Sequence, residues 1–421
     1  MFLNRVRVPN FRVLKDVDIT FEKEFRRSIF PLGSQNGGGK STLLQLIFVL
    51  LHCSTKPERL PFLQNMLSGF NMEKNTDESC LAIFTILDGD KNLEVEFLVK
   101  RSSWFFTELS EIRLGKYNND LSQINQELKW LSTNFNSLKL QQGMIQQHKI
   151  EEPFVTFVEK VNEYLNQNGI FYVTEYRSQS QREENVLLCK ITNLGLAKTK
   201  SFLDRLSEKI FLAAPSTQIF LFLSEQNRKL LFKQNEQNKE NNNSYSSSIV
   251  EAQSKLIGLF AYDFLAVNFI MEMFKNAMSM DINTMAETEE YGNHCKDLLN
   301  NINYILSSAK LSVLPDFSGV KFIIKRDNQI VELNPEDFSH GELKRLSIYI
   351  WLKYRKIEDG IVLIDELENA FHPDWQSQII RDLIEWTPTN QYIIATHSYE
   401  LCEAVPPAYV KELEPKLLPR Q

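Results

Sequence analysis

The sequence predicts an α/β fold: a mixed or parallel sheet with flanking helices, interrupted by a helical, partly coiled-coil insertion. Three observations lead there. A short apolar strand, Arg27-Ser28-Ile29-Phe30-Pro31-Leu32, runs through a glycine-rich turn into an apolar helix start at Lys40 to Ile47. The C-terminal part alternates helix and strand, with Leu343 to Tyr354 and Trp375 to Trp386 helical, and Gly360 to Ile364 and Tyr392 to Ala395 buried strands. Strands alternating with helices imply a parallel sheet, because a crossover helix returns the chain to the same end of the sheet. Between these parts the apolar period changes to that of a helix.

Taken in order, Val6 to Phe21 alternates apolar and polar residues around Asn10-Phe11, which predicts two short strands and a turn. Leu81 to Leu87 and Leu93 to Val99 alternate as a hairpin around Asp88-Gly89-Asp90. Leu121, Ile124, Leu128, Leu131, Phe135 and Leu138 then recur at spacings of 3, 4, 3, 4 and 3, a short coiled-coil seam. Pro153 opens a second helical stretch through Phe157, Val161 and Leu165, so the insertion reads as a helical hairpin, projecting or packed back. Ile170 to Val173 returns to strand. Gln226 to Ser248 has almost no apolar content after Phe232 and predicts a flexible surface loop. Helical stretches near 249–278 and 284–309 follow, then a hairpin of Val320 to Ile324 and Ile330 to Leu333 turning at Asp327-Asn328. The expected organisation is an N-terminal half-domain at 1–115, the helical insertion at 116–169, a strand plus helical lobe at 170–310 containing the loop 226–248, and a C-terminal half-domain at 311–421.

Composition narrows the function classes. Hydrophobic residues make up 43% and charged residues 24%, an ordinary folded composition. The formal charge of −7, from 47 basic and 54 acidic residues, gives no support to constitutive nucleic-acid binding, although a local basic groove remains open. Cys53, Cys80, Cys189, Cys295 and Cys402 are scattered without metal-like spacing and read as reduced core residues. The start shows no secretory h-region, and apolar runs such as Leu43 to Leu51 fall short of the roughly 18 residues that cross a bilayer. A cytoplasmic protein without membrane partners is expected.

The chemistry-bearing motifs sit on these elements. In Gly33-Ser34-Gln35-Asn36-Gly37-Gly38-Gly39-Lys40-Ser41-Thr42 the glycines let backbone N–H groups wrap a phosphate at a helix N-terminus. Asn36 to Thr42 are the candidate ATP-binding residues. Lys40 would neutralise β/γ oxygens and Ser41 would coordinate Mg²⁺. The first glycine stands one place earlier than the usual pattern, with Ser34 in its position. The apolar strand ending in Asp365-Glu366 places Asp365 for Mg²⁺ and Glu366 as the general base that orients water. Tyr392 to Ala395 leads to Thr396-His397-Ser398, where His397 can reach the γ-phosphate as a second catalytic candidate. Ser339 and Glu342 in Asp337-Phe338-Ser339-His340-Gly341-Glu342-Leu343 also suit a capping box.

Together, Asn10 to Val17, Val331-Glu332-Leu333 before Phe338 to Glu342, the run Asp365 to Pro373, and Thr396-His397-Ser398 resemble the ABC-type ATPases of the SMC/RecF/OLD-like branch. The resemblance covers roughly residues 1–100 and 310–400 and implies an ABC-type P-loop head that binds and hydrolyses ATP with Mg²⁺. His340 and Glu342 depart from the transporter form of the signature. The resemblance further implies that Ser339, Gly341 and Glu342 act in trans on nucleotide held by a second copy, giving an ATP-linked homodimer, and that His372-Pro373 meets the opposite subunit. A glutamine linking metal to the helical lobe is expected, with Gln179 and Gln181 as candidates. The branch implies a protein effector, a nuclease or toxin, including in anti-phage defence. A RecF-like DNA-repair clamp and a nucleotide-gated scaffold or sensor with little turnover are the alternatives. With Ser398 so close to the C-terminus, no Toprim-type nuclease domain is expected after it.

Overall fold

The computed structural model describes residues 1–25, 28–34, 37–72, 76–102, 165, 169–178, 184–192, 194–218, 221–232, 239–262, 267–306, 309–314, 319–326, 329–334, 337 and 339–413. The coiled-coil seam, the rest of the 116–169 hairpin apart from Leu165 and Gly169, Asn36, Gln179, Gln181 and the Asp327-Asn328 turn lie outside the described residues.

The chain begins with β1 (Phe2–Phe11), β2 (Leu14–Thr20) and β3 (Ile29–Gly33), followed by α1 (Lys40–Cys53) and α2 (Leu60–Leu67). Strands β4 (Glu78–Asp88), β5 (Lys91–Arg101), β6 (Ile170–Arg177) and β7 (Glu184–Ile191) precede α3 (Leu196–Ser207) and β8 (Ile210–Ala214). Next come α4 (Glu225–Phe232), α5 (Lys239–Lys255), β9 (Leu259–Ala261), α6 (Val267–Thr288) and α7 (His294–Leu306). The described chain finishes through β10 (Lys310–Val313), β11 (Val320–Arg326), β12 (Gln329–Leu333), α8 (His340–Tyr354), β13 (Ile361–Asp365), α9 (Pro373–Trp386), β14 (Gln391–Thr396), α10 (Tyr399–Glu403) and β15 (Lys411–Glu412).

Among the described residues these strands form three sheets. One is antiparallel, in the order β2-β1-β4-β5-β7-β6; a small one runs β10-β11-β12; and the third, β15-β3-β14-β13-β8-β9, is parallel throughout. The expected strand pairs at both ends of the chain are present, with the β1–β2 turn falling at Arg12-Val13, where Arg12 takes φ 55.

The parallel sheet is covered on both faces, which explains its near-continuous apolar strands. Ile361 and Leu363 of β13 enter the core shared with α1 and the antiparallel sheet, while Val362 and Ile364 enter the core shared with α6 to α9. Helix α1 lies inside the first core, and Leu43, Leu44, Leu46, Ile47, Phe48, Val49, Leu50 and Leu51 are all almost fully buried. Each such side chain contributes roughly 1.5–3 kcal/mol on leaving water, so the helix that begins with Lys40 is firmly seated.

Two expectations are corrected. The polar run at 226–248 is not a loop throughout: α4 covers its start, and α5 begins at Lys239. No glycine or proline interrupts Glu225 to Lys255, and buried Ile249, Ala252 and Leu256 anchor the C-terminal end of α5. The stretch 249–278 is not one helix, because Leu259–Ala261 pairs with Leu212 to Ala214 as a strand of the parallel sheet. Gly258 permits that approach: a Cβ there would lie 2.5 Å from the carbonyl oxygen of Ile210.

Candidate nucleotide-binding site

In the parallel sheet β3, β14 and β13 are neighbours, so the residues leaving their carboxyl ends meet at one edge. Ligands of open α/β sheets bind at that edge. There β3 leads to the glycine loop, β13 delivers Asp365 and Glu366, and β14 delivers His397.

The glycine loop needs its glycines. Gly37 and Gly39 have φ 80 and φ 88, and a Cβ on Gly39 would sit 2.7 Å from Leu14 Cδ2 and 2.8 Å from Val13 Cγ2. Gly39 stands at the N-cap of α1, which has no side-chain cap and no acidic residue in its first turn. That arrangement leaves the first amides and the positive end of the helix for an incoming anion. Gly38 is buried in the loop, and Thr42 is half-buried in the first turn of α1.

Lys40 is only 5% exposed, and its Nζ donates to Ser34 O and Ser34 Oγ, both at 3.0 Å. His397 Nδ1 lies 3.3 Å from the same Nζ. Burial lowers the Lys40 pKa, opposed by the carboxylates of Glu368, Asp365 and Glu366. The structure thus shows Ser34, at the position where the usual pattern has glycine, as a partner of the lysine.

Ser41 Oγ donates to Asp365 Oδ1 at 3.0 Å, whereas the buried Asp365 Oδ2 has no hydrogen-bond partner. Burial pushes the Asp365 carboxyl up to about 7; Glu366 and Glu368 add to this, while Ser41 and Lys40 oppose it. A hydroxyl beside a carboxylate with an unsatisfied oxygen is an all-oxygen donor set suited to a hard divalent cation. These residues therefore fit Mg²⁺ bound together with a phosphate chain.

Glu366 has a left-handed backbone, φ 50. Its Oε1 accepts from Gln218 Nε2 at 3.0 Å and its Oε2 from Asn369 Nδ2 at 2.6 Å. Gln218 is held in turn by α1: its carbonyl accepts from Gln45 Nε2 at 2.5 Å, and Gln45 Oε1 accepts from Leu221 N. The backbone N–H of His397 donates to Glu368 Oε1 at 2.6 Å. Lys40, Ser41, Asp365, Glu366 and His397 are thus linked around one edge.

Gln218 and Asn369 are the residues that sequence reasoning missed. Gln218 follows the apolar strand Ile210–Ala214 just as His397 follows β14, and that repeated pattern is the signal that could have found it.

The start of α8 is built differently. Ser339 Oγ accepts from Glu342 N at 3.3 Å and Glu342 Oε2 accepts from Ser339 N at 3.2 Å, completing the capping box. Ser339 and His340 are exposed, whereas Gly341 is buried. A Cβ on Gly341 would fall 2.6 Å from the carbonyl oxygen of Ala370, so this glycine serves a close approach within its own chain. His372 caps α9 and is exposed.

With this geometry established, a family match gives the class. The sequence profile of the AAA ATPase domain family matches residues 1–402. The chain belongs to that family. It is similar to the Retron Ec83 probable ATPase of Escherichia coli, at 28% identity over 159 residues, amounting to 34% of this chain and 29% of that protein. The match therefore spans less than a third of that relative's length. Among solved structures, the chain resembles an SMC head bound to the C-winged helix domain of ScpA (TM-score 0.40, 10% identity, 96% of this chain and 92% of that one). It also resembles the SMC head domain from Thermotoga maritima (TM-score 0.40, 11% identity, 96% and 92%). Among the described residues no helix is long and apolar enough to cross a membrane.

Proposed function

We propose that the chain hydrolyses ATP to ADP and phosphate at the β3–β14–β13 edge, and that closure of two copies on two nucleotides regulates a protein effector. The observation that carries this reading is the convergence of Lys40, the Ser41–Asp365 pair and Glu366 on one sheet edge beside a helix start with no side-chain cap. Gly37 to Thr42 cradle the phosphates, and Lys40 exchanges its Ser34 contacts for β/γ oxygens. Ser41 and Asp365 would hold Mg²⁺, which would supply charge neutralisation at those oxygens. Glu366 accepts a proton from the attacking water, with Gln218 and Asn369 aiming its carboxylate, and His397 faces the γ-phosphate.

Ser339, His340 and His372 are exposed, which supports their meeting a second copy. The likeness to a retron ATPase supports placing the chain in a system of several components, with a nuclease or toxin as the effector and anti-phage defence as the role. The test mixes Ser339→Arg with Lys40→Ala chains, each inactive alone. In the mixed dimer one site combines a sound glycine loop from the Ser339→Arg chain with a sound α8 start from the Lys40→Ala chain. Turnover reappears on mixing if sites are shared between chains. No rescue, together with unchanged mass in light scattering when ATP is added to Glu366→Gln, would sink the shared-site reading.

A further inference from the structure

The backbone of Glu366 raises a question that its carboxylate does not answer. A left-handed conformation at a residue with a side chain is resisted by its own Cβ, and at φ 50 something must hold it. Two side chains from distant elements converge on it. Tyr262, just beyond β9, donates its hydroxyl proton towards the carbonyl oxygens of Asp365 and of Glu366, the latter at 3.0 Å. Lys344, on the second turn of α8 and 5% exposed, donates through Nζ to the Glu366 carbonyl oxygen at 2.9 Å and to the Asn369 carbonyl oxygen at 3.1 Å. The Lys344 ammonium also stands 4.0 Å above the Tyr262 ring and 5.3 Å from the Phe371 ring centroid, a desolvated setting in which such contacts are strong.

We propose that Lys344 and Tyr262 are positioning residues for ATP hydrolysis: by binding the carbonyl oxygen of Glu366 they hold its left-handed backbone and so set the direction of its carboxylate. The inference rests on the reading of Glu366 as the general base. It also assigns a route for regulation. Lys344 lies five positions after Ser339 on the same rigid helix, so pressure on the exposed start of α8 shifts the ammonium that grips Glu366 and Asn369. Asn369 in turn holds the Glu366 carboxylate through its side chain. One lysine thereby touches the base at its backbone and, through Asn369, at its reacting end.

The test is a double-mutant cycle on the full chain, with Tyr262→Phe, which keeps the ring and removes only the hydroxyl, and Lys344→Met, each alone and combined with Glu366→Gln. ATP turnover is followed by phosphate release, and ATP affinity by calorimetry. Each single variant should lower kcat by about 10-fold or more while KM and ATP affinity stay within about twofold, and Lys344→Arg should recover part of the loss. In the Glu366→Gln background the same changes should alter the residual rate by less than about twofold, because groups that act through one residue are not additive. Wild-type kcat in Tyr262→Phe, or a full multiplicative loss on top of Glu366→Gln, overturns the proposal while leaving the base assignment intact. Wild-type turnover in Glu366→Gln alone instead removes the base assignment. If Lys344→Met fails to fold, Tyr262→Phe decides the matter by itself.

Discussion

The N-termini of α1 and α8 each combine a glycine and a serine at the cap and in the first turn, yet they solve the problem of the first-turn amides in opposite ways. Helix α8 satisfies itself: Ser339 and Glu342 close a reciprocal box, and Gly341 locks the turn against Ala370. Helix α1 has a left-handed glycine at its cap and no side-chain acceptor, and the charged groups nearest it, Lys40 and Asp365, are buried at 5% and 2% exposure. One helix start is complete before any ligand arrives. The other stores polar groups whose full satisfaction waits for an anion and a cation. Binding and stability are therefore coupled at α1 and largely separate at α8.

The largest effect that tests this contrast is at Lys40. Lys40→Ala removes the buried cation aimed at phosphate and should weaken ATP binding by at least about 100-fold in calorimetry; equal affinity would erase the distinction between the two helix starts. Next comes Asp365→Asn, which should abolish Mg²⁺-dependent turnover and yet stabilise the protein measured without nucleotide. The sign follows from linkage. The folded state holds the Asp365 proton up to about 7, above the ordinary carboxylate value, so its contribution to stability is full below about pH 4 and is lost as pH rises through about 7. Asparagine carries no such loss, so thermal unfolding at pH 8 should favour the variant by no more than about 4 kcal/mol, with the gain vanishing near pH 4.

At α8 the effects should be structural and smaller. Gly341→Ala sets a methyl group 2.6 Å from the Ala370 carbonyl oxygen and should cost about 1–3 kcal/mol in denaturant unfolding. Ser339→Ala loses a cap and should cost about 1 kcal/mol with ATP affinity unchanged; a large affinity loss there would mean that α8 acts on nucleotide within its own chain. Helix α7 offers the mildest case. Its amides at His294 and Cys295 bind the buried carboxylate of Asp281 from α6, and these hydrogen bonds, with that from the His294 side chain, outweigh burial and hold the carboxyl down at about 2. That stabilisation is present above about pH 4 and is lost as pH falls through about 2. Asp281→Asn should therefore move acid unfolding, followed by circular dichroism, to a higher pH.

Much of the site was legible in the sequence because its signals are local. Glycines that need positive φ, a lysine and serine in register after them, and apolar strands ending in Asp365-Glu366 and His397 all declare themselves within a few residues. What escaped depends on partners far along the chain. Gln218 meets Glu366 from 148 positions away, and its local sign is no more than its place after the apolar strand β8. Strand β9 has three residues, too few to show a period, and becomes a strand only because β8 lies beside it. The Asn- and Ser-rich run suggests a loop because composition reports solubility, whereas α5 is secured by a few apolar residues near its end. The close approach of Gly341 to Ala370 is likewise a demand set by a residue 29 positions on, which the local pattern does not carry.

The placement of β3 between β14 and β15 has a consequence for how the molecule comes into being. Ile29 to Gly33 find their hydrogen-bonding partners at Tyr392 to Thr396 and Lys411 to Glu412, at the other end of the sequence, and Lys40 meets His397 across 357 positions. Contacts of such separation close late, after the entropy of a very long loop has been overcome, so the central sheet should assemble slowly compared with the antiparallel hairpins. During synthesis, the glycine loop emerges 324 positions ahead of Asp365 and 357 ahead of His397, and it stays without these acidic and histidine counterparts over that whole stretch. A broken message or a stalled ribosome therefore yields a chain that holds the phosphate loop but lacks the groups to use it.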